Sequence, residues 1–309
     1  MTALRVACTW LTVCSLAASA QVPSPADFLG YDLGDRFTRH HKVVDYAQTL
    51  AATSDRALWT DYGTTSEFRD LGLLIIASPE NHDRLEALRE ANLSRAEGKG
   101  LAADDPGVVF VWLSYNVHGN EAVCTEAALR TMHALVSGTD VGGRDVSAWL
   151  ERTVIIIDPC VNPDGRDRYV AFQDRTSGLV PNVDPGTVEH DEPWPGGRSN
   201  HYMFDMNRDW AWQTQVETKG RVTAYRHWMP QVHVDFHEQG VNSPYYFAPA
   251  AEPFHKIISP WQRKCQEHIG ANNARWFDAR GALYFTREVF DLFYPAYGDT
   301  WPLYNGAIG

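Results

Sequence analysis

The stretch VVFVWLSYNVHGNE, residues 108–121, decides the architecture. Val108 to Leu113 is an unbroken apolar run, which reads as a buried strand. Ala122 to Val136 follows, with Ala127, Ala128, Leu129, Met132 and Leu135 recurring at helical spacing. His118 therefore stands where a strand gives way to a helix, and Glu121 is expected in the first helical turn. Residues three apart on a helix share one face, so an imidazole nitrogen and a carboxylate oxygen can converge on one cation. Zinc takes such mixed donors and, in catalytic sites, keeps one position open. An H-x-x-E pair alone is common and decides little.

Its company downstream decides more. Arg152 to Asp158 (RTVIIID) reads as a second buried strand and runs into Asn162-Pro163-Asp164-Gly165. Gln231 to His237 reads as a third, with Val232, Val234 and Phe236 alternating against His233, Asp235 and His237. Between them stands Asp205-Met206-Asn207-Arg208-Asp209-Trp210. A strand-end H-x-x-E, a strand-end N-P-D-G, an N-R pair and a strand-end histidine, in that order, resemble the zinc carboxypeptidases of the peptidase M14 family. The resemblance runs from about Phe37 to the C-terminus.

The resemblance implies one zinc ion per chain, with His118, Glu121 and His237 as ligands. The donor chemistry agrees, since two imidazoles and a carboxylate leave a position for water. His233 lies on the same strand face and is the rival third ligand, although Asp235-Phe236-His237 fits the family's strand-end position better. Asp164 is expected to accept the second N–H of His118 and so orient the ring. A Pro-Asp-Gly turn is compatible with that role. Asn207 and Arg208 match the pair that binds the substrate's terminal carboxylate, a task suited to the planar guanidinium fork. Arg198, in Gly196-Gly197-Arg198-Ser199-Asn200, is the candidate for polarising the scissile carbonyl. Tyr294 or Tyr297 would be the substrate-contacting tyrosine. The family's general-base glutamate follows a segment like residues 299–306, and this sequence ends at Gly309. The expectation is therefore a C-terminally incomplete domain, inactive in this 309-residue form. Glu238 and Glu288 do not match the base's position.

Elsewhere the pattern is that of an α/β fold. Phe37–Thr53, Pro79–Gly98, Val216–Met229 and Glu252–Asp278 read as helices. Leu58–Tyr62, Leu71–Ala77, Ser243–Ala248 and Ala282–Phe290 read as strands, and Arg166–Asp205 shows no periodicity. Alternating strands and helices predict a mostly parallel mixed sheet covered by helices on both faces. Residues 1–20 read as a cleavable signal peptide. Arg5 precedes an apolar run from Val6 to Ala18, and Ala18-Ser19-Ala20 forms the cleavage site. The run is too short to span a bilayer. Residues 21–36 form an irregular lead-in, and residues 37–309 form one catalytic domain.

With 309 residues, 44% hydrophobic and 21% charged, the composition is ordinary for a globular chain. A net charge of -12 argues against nucleic acid as a partner. Beyond the signal region only Cys124, Cys160 and Cys265 remain, too few for a disulfide framework, and Cys124 and Cys160 read as buried free thiols. The function expected is an exported metallocarboxypeptidase acting on peptides, or on acylated amino acids, with a free C-terminal carboxylate. The rivals are an amidohydrolase, deacylase or cell-wall peptide hydrolase on the same scaffold, and a catalytically silent zinc- or peptide-binding module.

Overall fold

The structure, a computed structural model, describes residues 22–99, 107–138 and 144–309. The expected signal peptide lies outside the described residues. In chain order the elements begin with helices α1 (Pro25–Leu29) and α2 (His40–Thr53), strands β1 (Ala57–Thr64) and β2 (Asp70–Ile76), and helices α3 (Pro79–Asp83) and α4 (Leu85–Ala96). Next come β3 (Val109–Tyr115), α5 (Val123–Ser137), α6 (Val146–Leu150), β4 (Thr153–Asp158) and α7 (Pro163–Thr176). Helix α8 (Val216–Trp228) leads into β5 (Val232–Phe236). The remainder holds the short strands β6 (Tyr245–Tyr246) and β7 (Ala251–Phe254), helix α9 (Pro260–Asp278), β8 (Tyr284–Phe285), β9 (Asp291–Leu292) and α10 (Trp301–Tyr304).

The five long strands form one sheet in the order β1-β2-β4-β3-β5. Strand β2 is antiparallel to both neighbours, while β4, β3 and β5 are parallel. The sheet is thus mixed and mostly parallel. Apolar side chains cover both faces. On one side Val43, Ala47 and Leu50 of α2 and Ala128, Leu129 and Met132 of α5 pack on Leu74, Ile155 and Ile157. On the other, Leu88 of α4 and Val222 and Tyr225 of α8 pack on Leu73, Phe110, Trp112 and Ile156. That two-sided burial explains why β3 and β4 read as continuous apolar runs. No helix among the described residues is long and apolar enough to cross a membrane.

Four expectations need correction. The aperiodic reading from Arg166 hides α7, a mostly polar helix whose buried face includes Arg166 instead of an aliphatic residue. Its start is set by Asn162, whose side chain accepts from Gly165 N, and by Pro163 in the first turn. The long helix expected from Glu252 begins only at Pro260, where Ser259 and Gln262 form a capping box, and Ala251–Phe254 is a strand. The Pro79–Gly98 helix is broken at Arg84 into α3 and α4. Glu121 falls just before α5, not within it.

The parallel strands β3, β4 and β5 end on the same edge of the sheet, the customary place for a site in open α/β folds. Along the outer side of β5, Ile308 N donates to Gln231 O and His233 N donates to Ile308 O, both at 2.8 Å.

Candidate metal centre

Beyond β3 the chain turns sharply at Asn116, whose φ of 62° is left-handed. Asparagine tolerates this conformation better than most residues. Its side-chain amide holds the following turn by donating to the carbonyls of His118 (2.6 Å) and Glu121 (2.9 Å). Arg166, fully buried, ties the same turn to the scaffold. It donates to Asn116 Oδ1 (3.1 Å), Ala122 O (2.7 Å) and Glu126 Oε1 (2.6 Å). Gly119 sits where three backbones meet. A Cβ there would overlap the main chain of Gly165, Arg166 and Gly197, so only glycine fits.

The turn brings His118, Glu121 and His237 together, with one donor atom of each lying within 4.8 Å of the others. Glu121 bridges the two rings, its Oε1 2.8 Å from His118 Nδ1 and its Oε2 2.9 Å from His237 Nδ1. Burial alone would raise the Glu121 carboxyl, but the hydrogen bonds to both histidines outweigh it and hold it at about 2. Both imidazoles are raised above their ordinary value. Burial works against this, and neighbouring carboxylates overcome it, Asp205 and Glu121 for His118 and Asp235 and Glu121 for His237. An ionised carboxylate between two histidines is a place where a cation can displace protons.

The outer nitrogen of each ring is held as well. His118 Nε2 lies 3.2 Å from Asp205 Oδ1, and His237 Nε2 lies 2.8 Å from Asp235 Oδ2. Carboxylates behind both histidines fix the tautomers and aim both Nδ1 atoms at one point. The donor set and its backing therefore fit a zinc ion. Asp164 is not the residue behind His118. Its Oδ1 instead accepts from Thr65 Oγ1 and from the guanidinium of Arg69, both at 2.7 Å. His233 is not part of the cluster either. It is buried between Trp210 and Tyr225, at ring distances of 5.4 and 5.6 Å, and burial lowers its imidazole to about 4.

The arginines border the cluster. Arg198 donates through Nε and Nη2 to Asp205 Oδ2 (3.1 and 2.9 Å), and its Nη1 lies 3.9 Å from Glu121 Oε1. Arg208 is half exposed, with its guanidinium 4.5 Å from the centre of the Tyr297 ring. Tyr297 in turn packs against Tyr294. Asn207, expected beside Arg208 on the substrate, has its amide turned inward. Its Oδ1 accepts from Gly298 N (2.7 Å) and its Nδ2 lies 3.3 Å from His237 Nε2. Glu238 caps α5 by accepting from Val123 N at 2.6 Å, and Glu288 is exposed. Among the described residues Cys124, Cys160 and Cys265 are free thiols, with Cys124 and Cys160 buried.

Sequence reasoning missed Asp205 and Asp235 as the partners of the ligands. The signal was present in both cases. Asp205 directly precedes Met206-Asn207-Arg208, and Asp235 shares a strand face with His237 through period-two alternation.

Known proteins match this architecture. A family model described as zinc carboxypeptidase, peptidase M14, covers residues 43–236. Carboxypeptidase E of Caenorhabditis elegans is 32% identical over 94 residues, 30% of this chain and 17% of that protein. The crystal structure of carboxypeptidase A from Helicoverpa armigera superposes with a TM-score of 0.58 at 17% identity, covering 90% of this chain and 64% of that one. Thrombin activatable fibrinolysis inhibitor gives 0.60 at 13% identity, covering 94% and 67%. A metallo-carboxypeptidase from Burkholderia cenocepacia gives 0.55 at 17% identity, covering 85% and 55%. The chain spans less than two thirds of the Helicoverpa and Burkholderia structures, and at these identities the likeness to solved structures is one of fold. With the family model matched over more than half of its length, the chain belongs to the peptidase M14 family of zinc carboxypeptidases.

Proposed function

We propose that the protein is an exported zinc-dependent carboxypeptidase that removes residues from the C-termini of peptides. The observation carrying this reading is the His118–Glu121–His237 cluster, carboxylate-backed on both histidines and flanked by two half-exposed guanidinium groups. These three residues would hold one zinc ion. When bound, zinc supplies Lewis acidity, polarising a carbonyl and lowering the pKa of water.

The protein's own residues do the rest. Arg208 receives the terminal carboxylate through its planar fork, with Tyr297 stacked against the guanidinium. Arg198, beside the cluster, adds a second positive charge where the scissile carbonyl oxygen would lie. Asn207 supports the site from beneath by fixing Gly298 and the His237 edge. Asp205, Asp235 and Glu238 are each engaged in a positioning hydrogen bond. Export rests on the charged, apolar and A-x-A pattern of residues 1–20.

The test is calorimetric and independent of turnover. Zinc-loaded protein is titrated with an N-acyl amino acid bearing a free carboxylate, and separately with its amide. Binding of the free acid alone supports the reading, whereas equal binding of both, or of neither, rejects it.

A further inference from the structure

His237 follows β5 and Glu121 precedes α5, 116 residues apart in the chain, yet one cation must meet both. Three hydrogen bonds run directly between these two stretches. Cys124 Sγ donates to Phe236 O at 3.4 Å. Val123 N donates to Glu238 Oε1 at 2.6 Å. Glu238 N donates to Glu121 Oε2 at 3.0 Å. Phe236 and Glu238 are thus both tied to residues 121–124, and His237 stands between them.

Glu238 supplies two of the three bonds, one from its side chain and one from its backbone. Ala122, the residue before α5, offers the helix no side-chain cap, and the first N–H groups of a helix need outside acceptors. The Glu238 carboxylate meets that need, and the positive end of the helix dipole favours an anion there. A side chain fixed on the helix also fixes its own main chain, whose N–H is directed at the metal ligand. Glu121 Oε2 is therefore met by consecutive residues, His237 Nδ1 at 2.9 Å and Glu238 N at 3.0 Å. A metal displaces the ring proton from such a pair, whereas a backbone N–H has no proton to give up. Of the two contacts, the one from Glu238 is the one that persists when a cation binds.

We propose that Glu238 is a positioning residue for the metal centre, a clasp that holds Glu121 and His237 at the separation one zinc ion requires. Its carboxylate anchors the turn after β5 to α5, and its N–H orients the Glu121 carboxylate. The inference rests on the reading of His118, Glu121 and His237 as a zinc site, and deepens it.

The test reads zinc affinity by competition with a chromophoric chelator, together with the visible spectrum of the cobalt(II)-loaded protein and Tm. Glu238→Ala should weaken zinc about tenfold and alter the cobalt spectrum. Glu238→Gln, whose amide oxygen can still accept from Val123 N, should recover most of the affinity. Met132→Ala is a core change in α5 that leaves the clasp untouched. It should lower Tm while zinc affinity and the cobalt spectrum stay native. Native zinc affinity in Glu238→Ala, no recovery in Glu238→Gln, or an equal loss in Met132→Ala would overturn the proposal. Where Glu238→Ala does not fold, Glu238→Asp decides. It keeps the charge but draws the carboxylate back by one methylene, so a several-fold loss of zinc affinity is expected and native affinity rejects the clasp. Failure of the unmutated chain to take up zinc at all would instead refute the metal reading itself.

Discussion

The Asp205 carboxylate lies 3.2 Å from His118 Nε2, and its second oxygen accepts two hydrogen bonds from Arg198. One side chain thus couples the first histidine of the cluster to the arginine nearest it. Replacing such a partner of a metal-binding histidine typically costs on the order of 10–100-fold in metal affinity. Asp205→Ala should show that loss in a zinc competition titration. Asp164→Ala should leave zinc affinity nearly native and instead lower stability by roughly 1–3 kcal/mol in chemical denaturation, since the Thr65 O–H and one Arg69 N–H lose their acceptor.

Histidines on one strand face divide sharply in role. His118→Ala, Glu121→Ala and His237→Ala should each abolish stoichiometric zinc binding, because each removes one of three donors. His233→Leu should retain one zinc per chain when metal content is measured by atomic emission. Loss of zinc in that variant would return His233 to the ligand set.

His233 also makes a prediction about pH. Burial, first of all, lowers its imidazole from 6.5 to about 4, with Asp235 opposing and Arg221 assisting. Between those values the unfolded chain binds the proton and the folded one does not. The stabilising contribution is therefore complete above about pH 6.5 and is lost progressively as the pH falls towards 4, by an amount on the order of 3 kcal/mol. Urea denaturation at stepped pH should show His233→Leu losing less stability than the native protein across that window. Parallel curves would contradict the neutral, buried state of this ring.

Arg208→Ala should weaken binding of a free-carboxylate ligand by about 2 kcal/mol, roughly thirtyfold. Arg208→Lys should recover only part, because an ammonium cannot reproduce the two-pronged contact. Calorimetry on zinc-loaded variants measures both.

Much of this was legible in the sequence because the signals were local. The apolar runs of β3 and β4, the alternation along β5 and the helical spacing of α5 each lie within a dozen residues and reflect burial directly. Helix α7 was not legible, since buried Arg166 stands where an aliphatic residue would have marked the inner face. The start of α5 was read to within one residue, but what holds it was not. Its cap is Glu238, which approaches from the far end of β5, and no local pattern announces a cap so distant in sequence. The choice of Asp205 over Asp164 is of the same kind. Both are acidic residues beside conspicuous motifs, and only the fold decides which one reaches the imidazole.

The crossing of backbones at Gly119, Gly165 and Gly197 bears on where this protein can accommodate change. Three chain segments locked main chain to main chain cannot shift register, so libraries that vary these glycines should yield mostly unfolded protein. Residues 177–186, upstream of the Gly197 clamp on the same connecting segment, are all exposed. Loops of this kind accept insertions and deletions readily. An exposed segment anchored by α7 at one end and by Gly197 at the other is the natural graft point for new substrate preferences, because its length and composition can be altered without moving the turn that carries His118 and Glu121.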